Sequence, residues 1–144
     1  MKKVTPSANS IDALESDYLY VNTSQLPNSG QGLFTAIDIF EDEIIAVFEG
    51  ELLSEQESKC RALVGQDKYF IMLLDGRIMD SMHTDCWAKF ANDAKGTIPA
   101  LTKNNASISV DDSGRPCLIA SHTIKAGQEI FCGYGKKYWE RHHH

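Results

Sequence analysis

The apolar residues of this chain come in short runs separated by glycine, proline and small polar residues, and this spacing limits the fold more than any other feature. Residues 17–23 (DYLYVNT) alternate aromatic or β-branched residues with polar ones, which is typical of a strand. Residues 25–32 (QLPNSGQG) are dense in turn formers and predict a loop. No run approaches the ~20 apolar residues of a membrane-spanning helix. Short strands and no association with a membrane are therefore expected.

Several further segments have the same strand-like composition and are separated by turn signals. They are residues 33–39, 43–53, 68–74 and 77–80, the two arms of a hairpin within 103–124, and a last strand after the turn at Gly127. The hairpin is predicted to turn at residues 111–114 (DDSG). The segment 43–53 (EIIAVFEGELL) is predicted as one continuous strand.

Helical signals are sparse. The clearest helix is residues 54–64 (SEQESKCRALV), where Ser54 caps the N-terminus and Glu57, three residues later, completes a capping box. Residues 85–94 (DCWAKFANDA) are ambiguous and compatible with a short helix. Residues 1–17 mix serine, asparagine, proline and charge, and they predict an extended arm with at most one helical turn.

Many short strands with one or two helices indicate an α+β fold that is mostly β. Because strands do not alternate regularly with helices, a doubly wound parallel sheet is not expected. The length of 144 residues fits one compact domain. We place an N-terminal arm at residues 1–17, the domain at residues 18–139 and a C-terminal end at residues 140–144. That end contains RHHH, which looks like the remnant of an affinity tag.

The net charge and the spacing of the cysteines limit which classes of partner and which cellular locations are expected. The net charge of −6, with the acidic residues spread out, makes nucleic acid a poor partner and suits a basic substrate, although it also serves solubility. The four cysteines have no C-x-x-C spacing, so no metal site is expected. The N-terminus does not resemble a secretory signal, which predicts reduced thiols and an intracellular location, either nucleus or cytoplasm.

Taken one at a time, the candidate functional residues have ordinary explanations. The GQG of residues 30–32 precedes a strand and not a helix, so it indicates a turn more than a dinucleotide-binding fingerprint. Asn92 and Asp93 alone are typical of a helix end. His83 and His122 lack the partner spacing of a metal site or a catalytic triad.

The order of the segments is more informative than any one of them. Along the chain come GQGL (30–33), FEGE (48–51), KFAND (89–93), Asn105 and GQEIFCGY (127–134). This order resembles the SET domain, the fold of protein lysine methyltransferases, from about residue 18 to residue 139. The resemblance implies several short sheets in a β-clip-like arrangement and a C-terminal pseudoknot-like loop.

The resemblance also implies a site for the cofactor S-adenosylmethionine, and it implies no metal. The family's glycine-x-glycine loop contacts the cofactor through its backbone, where a side chain would block close approach. Asn92 is the implied side-chain anchor, and Trp139 lies where an aromatic ring could cover the adenine. The implied cofactor-binding residues are Gly30, Gln31, Gly32, Leu33, Asn92, Asp93, Tyr134 and Trp139.

The chemistry implied by the resemblance depends on alignment more than on a strong base. A lysine, with a pKa of about 10.4, is almost fully protonated at neutral pH, and a desolvated channel beside a sulfonium lowers that pKa. The enzyme then has to align amine, methyl group and sulfur. Tyr134 matches the family's catalytic tyrosine. Tyr69 is the candidate for a second catalytic hydroxyl in the substrate channel, and a core-strand tyrosine is the alternative.

Cys132 completes the implied substrate channel with Tyr69 and Tyr134. It stands two residues before Tyr134, where many family members carry a phenylalanine or tyrosine that limits how many methyl groups the lysine accepts. The smaller side chain implies room for di- or trimethylation.

The sequence thus predicts an S-adenosylmethionine-dependent protein lysine N-methyltransferase that acts on a basic tail such as that of a histone. Two departures from the family pattern support a second hypothesis, since Lys89 replaces an arginine and Asp93 replaces a histidine. On that hypothesis the chain is a catalytically weak or inactive SET-like domain that serves as a protein-binding module.

Overall fold

The computed structural model describes residues 10–26, 30–73, 75–94 and 103–133. Within these residues there are two short α-helices, α1 (Glu15–Tyr18) and α2 (Glu55–Leu63), and one 3-10 turn, Ala88–Phe90. The strands are β1 (Leu19–Thr23), β2 (Gln31–Thr35), β3 (Ile44–Val47), β4 (Glu51–Leu53), β5 (Phe70–Met72), β6 (Ile78–Asp80), β7 (Ala106–Val110), β8 (Pro116–Ala120), β9 (Glu129–Ile130) and β10 (Cys132–Gly133). The predicted α+β class, mostly β, is confirmed.

The strands form three small sheets. Their orders are β1-β2-β9, β10-β7-β8-β3 and β4-β6-β5. Neighbouring strands are antiparallel except β10 and β7, which run parallel. The end of the described chain connects two sheets, because β9 extends the first sheet and β10 extends the second. The continuation of the predicted pseudoknot-like loop lies outside the described residues.

The main core is a cluster of apolar side chains contributed mainly by the first two sheets, and a smaller cluster is formed by Leu26, Ala94 and Phe131. Leu33, Ile45, Leu118 and Ile130 are fully buried in the main core. Full burial of an aliphatic side chain of this size stabilises the fold by about 1.5–3 kcal/mol. The hydroxyl of Tyr18 is satisfied within the core, since it donates to the carbonyl oxygen of Ile45 at 2.6 Å.

The segment 43–53 was predicted as one strand, and this prediction is wrong. It forms β3, which pairs with β8, and β4, which pairs with β6 in a different sheet. The chain changes sheets just before β4, at Gly50, where an added Cβ would lie 2.7 Å from the carbonyl carbon of Asp80. The backbones of Gly50 and Asp80 approach each other closely there, and strand composition does not predict such an approach.

The helix predicted at residues 54–64 is confirmed as α2, including its capping box. The hydroxyl of Ser54 accepts from the backbone N–H of Glu57 at 3.1 Å, and the carboxylate of Glu57 accepts from the N–H of Ser54 at 2.9 Å. No side chain of α2 is buried. An ion pair of 2.7 Å between Arg61 of α2 and Asp80 of β6 attaches the helix to the third sheet. The side chain of Asp80 is fully buried.

Three other local predictions match the structure to different degrees. Residues 85–94, which the sequence left ambiguous and compatible with a short helix, contain one 3-10 turn at Ala88–Phe90. The hairpin of β7 and β8 turns at residues 111–114, where the N–H of Gly114 donates to the carbonyl oxygen of Asp111 at 2.9 Å. The predicted loop 25–32 is shorter than expected, because β2 already begins at Gln31.

Candidate functional site

A cleft of about 270 Å³ opens beside the 3-10 turn. It joins three segments that are far apart in the sequence: the start of β2, the residues before β5, and residues 89–93. The residues that line it are Gln31, Lys68, Tyr69, Lys89, Phe90, Ala91, Asn92 and Asp93. The cleft therefore brings together four residues that the sequence predicted for the cofactor site or the channel, namely Gln31, Tyr69, Asn92 and Asp93.

Asn92 connects the predicted glycine loop to the end of the chain. Its Nδ2 donates to the carbonyl oxygen of Gln31 at 2.9 Å, across 61 residues of sequence. Its own carbonyl oxygen accepts from the N–H of Cys132 at 2.8 Å. Within the described part of the chain, its Oδ1 accepts no hydrogen bond. That oxygen is available to a donor of a ligand.

The two glycines of the loop are required for different reasons. Gly30 has φ of +66° with open space around it, so glycine is favoured there by backbone conformation. A Cβ on Gly32 would collide with the carboxylate of Glu129, whose Cδ would be 2.8 Å away. Glu129 is only 2% exposed, and it accepts from the hydroxyl of Ser24 at 2.7 Å and from the N–H of Gln25 at 2.8 Å. This buried carboxylate therefore fixes the loop from behind.

Leu33, which was also predicted for the cofactor site, follows these glycines in β2. Its side chain is fully buried in the core cluster. Any contact between Leu33 and a ligand would therefore come from its backbone.

Lys89, which stands in place of the family's arginine, is fixed by the protein itself. Its Nζ donates to three carbonyl oxygens of residues 81–84 at distances from 3.0 to 3.5 Å. It also lies 5.3 Å from the ring centroid of Tyr69 and 5.4 Å from that of Phe90, in cation–π range. An ammonium has three donors, so the hydrogen-bonding capacity of Lys89 is used internally.

Asp93, which stands in place of the family's histidine, is also engaged. Its Oδ1 accepts from the Nδ2 of Asn104 at 2.9 Å. The Oδ1 of Asn104 in turn accepts from the N–H of Ala94 at 2.8 Å. One asparagine side chain thus fixes both residues that follow Asn92.

Asn105 holds the strand that leads towards Tyr134. Its Nδ2 donates to the carbonyl oxygen of Glu129 at 3.0 Å, and its Oδ1 accepts from the N–H of Phe131 at 2.8 Å. The side chain replaces the backbone partners that β9 and β10 lack at their junction. Asn105 therefore helps to position the last described residues, together with the pairing of β10 with β7.

The predicted channel residues are only partly within the described chain. Tyr69 is half-buried just before β5 and packs edge-on against Phe90, with ring centroids 6.5 Å apart. Cys132 is fully buried, and burial raises the pKa of its thiol well above the ordinary value, so the thiol is neutral. Tyr134 and Trp139 lie outside the described residues.

Two residues of the site were not selected from the sequence, namely Lys68 on the cleft wall and Asn104 beside Asp93. Glu129, behind the glycine loop, belongs to the quoted GQEIFCGY segment but was given no role there. The adjacent pair of asparagines at 104 and 105 was a usable signal, because buried turns need such side chains to satisfy their backbones. Nothing local distinguishes Glu129 from a solvent-facing glutamate.

The comparison with protein families decides the identification. The family model described as SET domain matches residues 30–135. The chain belongs to the SET-domain family. The matched range runs from the glycine loop of the cleft to just beyond β10, so the described cleft lies within this SET domain.

Solved structures support the same assignment at TM-scores near 0.7. A structure of apo ctPRC2 with mutations in Ezh2 matches 85% of this chain at 29% identity and a TM-score of 0.69. An inhibitor-bound, humanized mutant of the Chaetomium thermophilum Polycomb Repressive Complex 2 matches 81% at 29% identity and a TM-score of 0.67. A ctPRC2 bound to S-adenosylmethionine in an autoinhibited conformation matches 88% at 28% identity and a TM-score of 0.68.

This chain covers only a small part of the length of those solved chains. The shares are 16%, 15% and 17% of their lengths, respectively. No curated protein sequence matches this chain significantly.

None of the described helices has the length and apolar character that crossing a membrane requires. The described histidine, cysteine, aspartate and glutamate side chains form no group of three or more that could hold a metal ion.

Proposed function

We propose that this SET domain is a protein lysine N-methyltransferase that uses S-adenosylmethionine. The observation that carries the proposal is the cleft, which unites Gln31, Tyr69, Asn92 and Asp93. The family resemblance assigned these residues to the cofactor site and the channel from their order in the sequence alone. A structural neighbour bound to S-adenosylmethionine, at a TM-score of 0.68, supports the same cofactor.

The lining of the cleft suits one part of this cofactor. The methionyl end of S-adenosylmethionine carries an ammonium, a carboxylate and a sulfonium, and the cleft offers an amide oxygen on Asn92, an ammonium on Lys68 and the rings of Tyr69 and Phe90. The volume of about 270 Å³ is slightly below the range of about 300–1,000 Å³ for complete small-molecule sites. We therefore place the methionyl end here and assign the adenine cover to Trp139.

In this proposal the residues of the chain bind and orient, and none acts as a strong base. S-adenosylmethionine supplies the methyl group, which its sulfonium makes electrophilic. The backbone of residues 30–32, against which Glu129 packs, would hold the methionyl end, and the Oδ1 of Asn92 would accept from its ammonium. The hydroxyl of Tyr134 orients the substrate amine. A desolvated channel lowers the pKa of that amine and so provides the neutral nucleophile.

The proposed substrate is a basic protein tail with a target lysine, and a histone tail is the first candidate. The net charge of −6 favours the approach of a basic segment. We expect neither nucleic acid nor a membrane as a direct partner. An intracellular location, nucleus or cytoplasm, is consistent with such a substrate.

Calorimetric titration of the purified chain with S-adenosylmethionine is expected to show one saturable site. Incubation with labelled cofactor and an array of basic peptides should then label peptides that contain lysine. The same peptides with lysine replaced by arginine serve as the control and should remain unlabelled. Binding without labelling of any lysine peptide would contradict the proposed transferase activity.

The second candidate, a weak or inactive domain that serves as a binding module, rests on Lys89 and Asp93. Both residues have internal partners in the structure, since Lys89 binds the carbonyl oxygens of residues 81–84 and Asp93 binds Asn104. These contacts support roles for both substitutions in holding the cleft wall. The same titration separates the two candidates, because a binding module should show no heat from S-adenosylmethionine.

Cys132 leads us to expect di- or trimethylated product. A thiol is much smaller than the phenylalanine or tyrosine common at this position, and it leaves room for a methylated amine to rotate and react again. Mass spectrometry of an identified peptide substrate should show the second methyl group at long incubation times. C132A is the matched control and should keep this product distribution. Product that stays monomethylated in both proteins would contradict the expectation.

A further inference from the structure

The cleft is lined by two lysines, and among the described residues only one of the two ammonium groups has hydrogen-bond acceptors. The ammonium of Lys89 is used by carbonyl oxygens, as described above. Lys68 is exposed, and its Nζ lies 5.3 Å from the ring centroid of Tyr69. No carboxylate in the described ranges forms an ion pair with Lys68. The cleft wall therefore presents one positive charge that no described carboxylate neutralises.

The charges of the cofactor limit where such a lysine can act. S-adenosylmethionine carries two positive groups, the sulfonium and the α-ammonium, and one negative group, the α-carboxylate. A lysine beside either positive group would weaken binding by repulsion. Only the carboxylate gains from an adjacent ammonium, with a charge-assisted hydrogen bond as the favourable arrangement.

We propose that Lys68 binds the α-carboxylate of S-adenosylmethionine and thereby sets the orientation of the cofactor in the cleft. This inference rests on the proposed function. The groups that line the cleft are complementary to an amino-acid zwitterion, because the Oδ1 of Asn92 can accept from the α-ammonium while Lys68 donates to the carboxylate. The two residues lie on separate segments of the cleft wall, so together they distinguish the two ends of the amino-acid group.

The ring of Tyr69 gives the Lys68 side chain a defined position. A lysine side chain loses rotamer entropy when it is ordered, which usually reduces the value of an exposed ion pair. The cation–π contact with Tyr69 holds the ammonium near the cleft before a ligand arrives. Part of the ordering has then already taken place in the free protein, and more of the carboxylate contact appears as affinity.

The test is calorimetric titration of three ligands into the wild-type chain and three variants. The ligands are S-adenosylmethionine, S-adenosylhomocysteine and decarboxylated S-adenosylmethionine, which lacks the α-carboxylate. K68M removes the charge and keeps an unbranched side chain of similar length, and K68R keeps the charge. K125M is the matched control, because Lys125 is an exposed lysine outside the cleft lining and its loss changes the net charge equally.

K68M is expected to bind S-adenosylmethionine and S-adenosylhomocysteine about tenfold more weakly than wild type, as for loss of one charged hydrogen bond. The affinity of K68M for the decarboxylated ligand should equal that of wild type. K68R should retain binding within about threefold, and K125M should match wild type. Because Lys68 is exposed, all variants should keep the wild-type melting temperature.

Two outcomes would overturn the role of Lys68 alone. One is unchanged binding of S-adenosylmethionine by K68M. The other is an equal loss for the decarboxylated ligand, which would mean that the lysine acts on some other group. Failure of the wild-type chain to bind any of the three ligands is a different result, because it would reject the proposed function and the carboxylate contact together.

Discussion

Replacing Tyr134 with phenylalanine is expected to slow methyl transfer by about 100-fold or more, while the affinity for S-adenosylmethionine stays within about threefold of wild type. In the proposed mechanism the Tyr134 hydroxyl orients the attacking amine, and its contribution is made in the transition state. Asn105 supports this placement, because it fixes the β9–β10 segment that leads to Tyr134. Single-turnover transfer of a labelled methyl group measures the rate, and calorimetry measures the affinity.

The control for this prediction is Tyr20→Phe. Tyr20 stacks on Phe34 with ring centroids 5.5 Å apart and is not part of the cleft lining. Its hydroxyl should therefore have no effect on the rate of transfer. A Tyr134→Phe enzyme that is as active as Tyr20→Phe would show that the hydroxyl of Tyr134 is not needed.

Replacing Gly50 with alanine is expected to cost about 3 kcal/mol of unfolding free energy. The new Cβ would lie 2.7 Å from the carbonyl carbon of Asp80 and 3.0 Å from the Cα of Ser81. These are backbone atoms at the end of β6, so no side-chain rotation can relieve the contact. Asp80 also carries the buried end of the ion pair with Arg61, and its displacement would weaken the attachment of α2.

Urea unfolding followed by circular dichroism measures this loss, and Gly76→Ala provides a comparison. Gly76 has φ of +88° and no atom within 4 Å of an added Cβ, so its substitution should cost only the backbone strain of about 1–2 kcal/mol. If the Gly50→Ala protein were as stable as the Gly76→Ala protein, the two backbones would be able to move apart with little loss of unfolding free energy.

The fold could be predicted well wherever the responsible signals are local. The capping box of Ser54 and Glu57 and the turn at residues 111–114 involve groups within a few residues of each other, and both were found at the expected positions. The prediction of a single strand at 43–53 did not hold, because the chain changes sheets at Gly50, where it lies against the backbone of Asp80, a residue remote in sequence. Composition alone does not report the distance between two strands.

Part of the cleft could also be predicted, because some of its residues lie in short motifs whose order along the chain is visible in the sequence. The order of short motifs pointed to Gln31 and Asn92, and the structure joins them by a hydrogen bond of 2.9 Å. Lys68 was not selected, because a lysine before a strand has no local feature that distinguishes it from a solvated one. Only its position beside Tyr69, on the wall of the cleft, gives it a chemical role.

The sequence by itself determined the class of the fold, its short strands and capped helix, and the family to which the order of its motifs belongs. These properties follow from turn chemistry, side-chain alternation and capping, which act within a few residues along the chain. The tertiary structure decided why Gly32 has to be glycine, since the buried carboxylate behind it belongs to Glu129, which also binds Ser24 across 105 residues of sequence. It also decided which lysine of the cleft is used internally. The requirement for glycine at position 32 and the internal use of one lysine both depend on distances between remote segments, which are set only when the sheets pack together.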